Sequence, residues 1–222
     1  MSKRIELDFS RKYDDAHAQK YLRKHRDGLA RRLSDRRDKQ LARRALALAG
    51  EPGLVLDLPC GAGRFWPLLA EKANRVIIGA DNSASMVKTA CKSQPADVVK
   101  RVQPLQTSAF AIDMPDNAVD SIFSMRLLHH IGKAEDRAVL LKEFHRVTRD
   151  SVIVSLWVDG NFKAWKRKRA EKTRNPHDFQ NRFVLPVDTV EAEFQQAGFR
   201  IQERLDFLPM YAMWRVYLLR KR

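Results

Sequence analysis

Between Val55 and Leu69 the chain reads VLDLPCGAGRFWPLL. The apolar run that ends at Asp57 is too short for a helix and reads as a buried strand. Gly61 and Gly63 follow, where the absence of side chains lets a ligand approach the backbone at the carboxyl end of that strand. A helix is predicted over 63–73, with Pro67 in the first turn, where proline is tolerated. A dinucleotide fingerprint, G-x-G-x-x-G, would place a third glycine at position 66. Trp66 stands there instead, which argues against a pyrophosphate over this helix end. Asp57 is also ill suited to a pyrophosphate neighbour and well suited to a cationic ligand that carries an ammonium and a sulfonium.

Working outward, RVIIGAD reads as a second strand ending at Asp81, 24 residues after Asp57. A carboxylate at the end of that strand can accept both hydroxyls of a ribose. A ribose joined to a cationic amino acid, without pyrophosphate, describes S-adenosylmethionine. Further strands are predicted over 101–108, 119–125 and 151–158. Between them SASMVKTACKS reads as a helix capped by Ser83, and KAEDRAVLLKEFHRVT as a strongly amphipathic helix. VDTVEAEFQQAG is a helix ended by Gly198, and 199–207 and 210–219 form a closing antiparallel pair. Strands alternating with helices predict a parallel sheet covered on both faces. The fold class is therefore α/β: a Rossmann-like, seven-stranded, mostly parallel sheet with helices on both faces and an antiparallel final strand.

The segments VLDLPCGAG, GADNSASM, MPDNAVDSIFSMRLLHHI, LLKEFHRVTRDSVIVSLW and FQQAGF, in this order and spacing, make the chain resemble the class I S-adenosylmethionine-dependent methyltransferases over roughly residues 40–220. The resemblance implies that Asp57, Gly61 and Gly63 face the methionine end of the cofactor. It implies that Asp81 takes the ribose with Asn82 and Ser83 beside it, and that Ser108, Ala109 and Phe110 flank the adenine. Ser124, Met125 and Arg126 would form the floor near the sulfonium. The chain departs from the family pattern at Pro59, which replaces the usual first glycine of the loop, and at Ser108 and Ala109, where an acid near the adenine amine is frequent. Arg126 places a cation near a cationic cofactor, which is costly unless it binds an anionic substrate or turns away.

Methyl transfer is an in-line displacement that depends on alignment more than on acid–base power. A base matters when the nucleophile is a hydroxyl or similar group. His129, His130, Asp159 and His177 are the candidates, with Arg126 beside them, and His129 and His130 read equally well as core histidines. The SMRLLHH loop lacks the Asn/Asp-Pro-Pro-Tyr/Phe stretch that resembles base-amine methyltransferases. No His and carboxylate cluster at metal-ligand spacing is visible.

The charge is strongly basic: 42 Lys and Arg against 27 Asp and Glu in 222 residues. Residues 1–50, read as a basic helical N-terminal extension to a methyltransferase domain at 51–222, hold 15 basic and 7 acidic residues. In that extension DDAHAQKYLRKHRD and SDRRDKQLARRALALAG read as helices, the second with Leu41, Ala45 and Leu48 on one face and stopped by Gly50 and Pro52. A basic insert at 159–182 contains KAWKRKRAEKTR, with 7 basic residues and one acid. Such asymmetry suggests an anionic partner, although a solvated basic surface has the same composition. Two cysteines, no apolar leader at the N-terminus and no long apolar run suggest a soluble cytoplasmic protein. The acceptor expected is an anionic small molecule, sugar or lipid intermediate, with the insert as its mouth or as a peripheral membrane contact. RNA is an alternative, although few aromatics lie among the basic residues to stack bases. A third reading is regulatory. Arg32 and Arg36 share a helix face, with Arg43 two turns on, and could grip a cyclic dinucleotide such as c-di-GMP. Lys166, Arg167, Lys168 and Arg169 complete the candidate anion contacts.

Overall fold

The computed structural model describes Ile5 and residues 28–171 and 181–222. The first predicted N-terminal helix, over 14–27, and His177 lie outside the described residues. The strands are β1 (Leu54–Asp57), β2 (Val76–Asp81), β3 (Val102–Gln106), β4 (Val119–Ser124), β5 (Thr148–Trp157), β6 (Phe199–Asp206) and β7 (Trp214–Lys221). They form one sheet in the order β3-β2-β1-β4-β5-β7-β6. β1 to β5 run parallel, and β7 is antiparallel to both β5 and β6. This is the expected Rossmann-like sheet with its antiparallel final strand.

Adjacent residues on each strand part to opposite faces, as the two-residue period of a strand requires. Leu56, Ile78, Ile122 and Val152 bury one face beneath helices α5 (Ala134–Val147) and α7 (Val187–Gln196), where Phe144 and Phe194 fill the layer. Val55, Ile77, Phe123 and Ile153 bury the other face beneath α1 (Leu29–Leu48), α2 (Trp66–Leu69) and α3 (Ala84–Ser93). Two helices that the sequence reading passed over complete the set: α4 (Ala96–Val99), and α6 (Phe162–Glu171) inside the basic insert.

Helix α1 contributes Leu41, Ala42, Ala45 and Leu46 to the same cluster as Val55, Trp66 and Ile77, so this part of the basic N-terminal segment shares the core of the sheet. Leu48 does not join the face expected for it: the buried stripe runs through Leu46, and Leu48 is exposed. The helix after β1 is much shorter than the predicted 63–73. Carbonyls at and just past its end are taken by arginines instead of by further helical N–H groups: Arg75 donates to Leu69 O at 3.1 Å, and Arg101 donates to Ala70 O at 2.5 Å and Ala73 O at 2.9 Å.

Candidate functional site

The carboxyl ends of β1, β2 and β4 open into a cavity of about 490 Å³. Its first wall is the glycine turn. Leu58 N–H donates to Phe123 O at 3.0 Å and Cys60 N–H to Ala80 O at 2.7 Å, which ties the loop to both neighbouring strands. Leu58–Pro59 is a cis peptide, and Gly61 and Gly63 have φ of 54° and 72°, a region that other residues rarely occupy. Trp66 explains what the missing third glycine does. Its indole is fully buried and fills the space beneath the turn, so a Cβ on Gly79 would lie 2.4 Å from its Cζ2 and one on Gly63 2.9 Å from its Cδ2. The tryptophan takes the volume that a glycine would have left, and glycines at 63 and 79 give way to it.

Asp81 is the hub of the site. Its carboxylate accepts Gly61 N–H at 3.0 Å and Ser83 N–H at 2.9 Å, joining the glycine turn to the start of α3, where Ser83 Oγ accepts Met86 N–H at 3.3 Å. Burial pushes the Asp81 pKa up, against the pull of those N–H donors. Asp57 lies deeper, almost wholly buried beneath the turn, and its pKa is raised well above the carboxylate range by burial and by the nearby Asp81 charge. The Trp66 indole N–H favours the ionised form of Asp57, but outside normal hydrogen-bond geometry.

Pro59, Gly61, Asp81, Asn82, Ser83, Ser108, Ala109, Phe110 and Met125 line the cavity. Asp57 and Gly63 do not: they sit behind the turn and shape it from below. The Ser108 hydroxyl accepts Phe110 N–H at 3.2 Å, which turns the chain at the adenine end.

Arg126 turns away from the position where it would oppose a cationic ligand. It has φ of 66°, its N–H donates to Ser155 Oγ at 2.8 Å, its guanidinium pairs with Asp38 of α1, and it lies 4.8 Å from the Trp214 ring centroid. Asp38 also accepts Arg64 Nη2 at 2.8 Å, and Arg64 Nε donates to Asp35 at 2.8 Å. Two carboxylates of α1 thus offset two arginines at the cavity wall. Sequence reasoning missed Arg64, Arg31 and Asp35 as lining residues and Asp38 behind them. The signal was present in Arg64 immediately after the glycine turn, and Arg64 Nη1 is buried without a hydrogen-bond partner.

His129 and His130 both line the cavity. His129 packs against Trp214 and Trp157 at centroid distances of 4.7 and 5.1 Å, and burial, with His130 and several arginines nearby, pushes its pKa down to about 2. It is therefore a neutral imidazole, with one ring N–H and no second proton, at physiological pH. His130 Nδ1 donates to the Asn181 carbonyl, which places its basic lone pair on Nε2. Its pKa is also lowered by burial, against the pull of that hydrogen bond. Asp159 is not at the site: its carboxylate accepts Val187 N–H at 3.0 Å at the start of α7.

Two expected anion contacts are otherwise engaged. Arg43 forks onto Glu71 at 2.6 and 2.8 Å, and Arg167 pairs with Glu171 at 2.8 Å while covering Trp157 at 5.0 Å. Arg32, Arg36, Lys166, Lys168 and Arg169 are exposed and lie outside the cavity.

This sheet order, with an acid-anchored glycine turn at β1 and a second acid at the end of β2, leads to one fold. The chain has the class I S-adenosylmethionine-dependent methyltransferase fold. Residues 56–156 match the family described as "Methyltransferase domain". The chain is similar to the tRNA U34 carboxymethyltransferase of Shewanella frigidimarina, 31% identical over 117 residues, which are 50% of this chain and 33% of that protein. It is also similar to the malonyl-[acyl-carrier protein] O-methyltransferase of Hamiltonella defensa, 30% identical over 150 residues, 66% of this chain and 54% of that protein. The chain thus spans between a third and about half the length of these curated relatives. Among solved structures, the magnesium protoporphyrin IX methyltransferase of Synechocystis with bound SAH superposes with a TM-score of 0.77 at 15% identity, covering 98% of this chain and all of that one. Methyltransferases of this family use S-adenosylmethionine, and the residues of this cavity fit that cofactor: the cradle under Gly61 is open, Asp81 is poised at the ribose position, and Arg64 Nη1 is an orphaned donor beside the methionine end.

Proposed function

We propose that the chain is an S-adenosylmethionine-dependent methyltransferase acting on an anionic acceptor. The observation that carries the acceptor class is the part of the cavity lined by Trp214, His129 and His130, where Arg182 lies over the ring of Trp157, 5.7 Å from its centroid. Aromatic walls flanked by guanidinium groups favour a flat or conjugated group bearing a carboxylate or phosphate.

In this reading the cofactor supplies the electrophilic methyl group. Asp81 would accept the ribose hydroxyls, the Gly61 turn would carry the methionine portion, and Arg64 Nη1 would take its carboxylate. Phe110 and Ala109 flank the adenine. Arg182 holds the acceptor's charge, and the Trp157 and Trp214 rings exclude water. His130 takes a proton from an acceptor hydroxyl through Nε2. The work of the protein is alignment and charge placement.

Calorimetry with S-adenosylmethionine and its demethylated product tests the cofactor half, and saturation by neither at millimolar concentration overturns it. Competition by aromatic carboxylates and phosphates, weakened in Arg182→Ala, tests the acceptor half. RNA is the second reading. It is favoured by the likeness to tRNA carboxymethyltransferases and by the exposed cations of α6. Methyl incorporation into RNA, with affinity falling steeply with salt, would establish it in place of the small-molecule acceptor.

A further inference from the structure

The outer face of α6 carries apolar side chains with no role in the cavity. Phe162 and Trp165 are 50% and 54% exposed, and the adjoining loop before β7 adds Leu208, Met210 and Tyr211 at 46%, 78% and 47%. The helix and loop are one unit: Phe162 N–H donates to Met210 O at 2.9 Å and Lys163 N–H to Tyr211 O at 3.0 Å. The Phe162 ring lies parallel to Tyr211 at 5.8 Å and 10°, and near Trp165 at 5.8 Å. Monomeric soluble proteins rarely gather exposed apolar side chains in this way, and a polar rim around them marks an interaction site.

The rim here is cationic. Lys163, Lys166, Lys168 and Arg169 are all exposed around the patch. Lys163 Nζ sits 5.2 Å from the Tyr211 centroid and the Arg169 guanidinium 4.8 Å from that of Trp165. Long cationic side chains folded over Trp and Tyr, beside projecting aliphatic groups, are the arrangement of an interfacial helix. Its apolar face enters the acyl boundary, the aromatic rings sit at headgroup level, and the charges meet anionic lipid.

We propose that α6 and the Leu208–Tyr211 loop form a docking surface for an anionic lipid bilayer. The same observations disfavour other occupants. Nucleic acid would need open ring faces for base stacking, and Tyr211 and Trp165 already carry a cation on one face, with Phe162 against Tyr211. A second copy would bring like-charged rims together. No helix among the described residues is long and apolar enough to cross a membrane, so the contact is peripheral. The inward face of α6 places Arg167 on Trp157 at the cavity wall, so bilayer and cavity lie on opposite sides of one helix.

The test is flotation of the full chain with vesicles of phosphatidylcholine alone and of equimolar phosphatidylcholine and phosphatidylglycerol, with S-adenosylmethionine binding as the folding control. The wild type is expected to float with the anionic vesicles only. Each of Trp165→Ser and Met210→Ser should weaken partitioning about tenfold, since each half-buries a large side chain. Lys166→Glu/Arg169→Glu should weaken it by at least about 25-fold, at about fivefold per charge. All four positions are exposed, so cofactor binding should be unchanged. The proposal is overturned if the wild type does not float, or if the serine variants float as well as the wild type. It is equally overturned if they lose RNA binding while keeping the vesicles, or if they abolish a dimer instead. Loss of vesicle binding with cofactor binding intact leaves the methyltransferase reading untouched, and loss of cofactor binding alone leaves the docking surface untouched.

Discussion

Changing Gly79 to alanine tests whether Trp66 is the plug that shapes the glycine turn. The new methyl would lie 2.4 Å from Trp66 Cζ2, 2.8 Å from its Cε2 and 2.9 Å from Val102 Cγ1. All three are inside any real carbon–carbon contact, and Trp66 is fully enclosed, so neither ring nor strand can yield freely. Overpacking of this kind costs about 1–3 kcal/mol, less up to ~1 kcal/mol from the stiffer unfolded chain. Trp66→Leu alone should cost about 3 kcal/mol or more through the cavity it leaves. In the double variant the methyl occupies space that the indole vacated. The two costs should therefore fall short of additivity by about 1–3 kcal/mol. Urea unfolding followed by far-ultraviolet circular dichroism measures all four proteins without relying on tryptophan emission, which the substitution itself changes. Additivity within about 0.5 kcal/mol would refute the reasoning, because it would mean that the methyl and the indole do not compete for one volume.

Asp81→Asn keeps a single acceptor oxygen for two N–H donors and the ribose, so S-adenosylmethionine affinity should drop about 10- to 100-fold in calorimetry, with a stability loss of about 1–3 kcal/mol. Burial and the Asp81 charge raise the Asp57 pKa, so a cationic ligand favours release of a proton from Asp57. Cofactor affinity should therefore rise with pH, and Asp57→Asn should flatten that dependence in calorimetry across buffers of different ionisation enthalpy. His129 stays neutral in the fold down to about pH 2, whereas the unfolded chain protonates it below about 6.5. Its contribution to stability is complete above that value and falls as pH drops below it, by about 2 kcal/mol at roughly pH 5. His129→Gln should remove this share of the acid slope in urea titrations. We also propose, as a separate anion site, the exposed Arg32 and Arg36. A thermal shift with c-di-GMP that vanishes in Arg32→Ala/Arg36→Ala would support it, and no shift in the wild type would remove it.

The short apolar runs that end at Asp57 and Asp81, the glycine turn, and the carboxylates at 57 and 81 were legible because each is a local pattern. A continuous apolar run too short for a helix marks a strand buried on both faces, and a strand end followed by glycines decides where a ligand meets backbone. The short α2 was not legible, because its carbonyls are taken by Arg75 and Arg101, which arrive from beyond it in the chain. Leu48 looked equivalent to Leu41, yet only contact with the sheet shows that the buried stripe passes through Leu46. Arg126 carried opposite implications in the sequence, and the choice between them was made by Asp38, a residue of α1 that meets it only in the fold. The same holds for His129, whose neutral state is imposed by Trp157 and Trp214 from β5 and β7, and for the outer face of α6, where Phe162 and Trp165 find Met210 and Tyr211. Local periodicity and turn chemistry act between neighbours in the chain, so sequence alone can determine them. Charge pairing, desolvation and surface patches act between neighbours in space, and for these residues only the packed structure decides who those neighbours are.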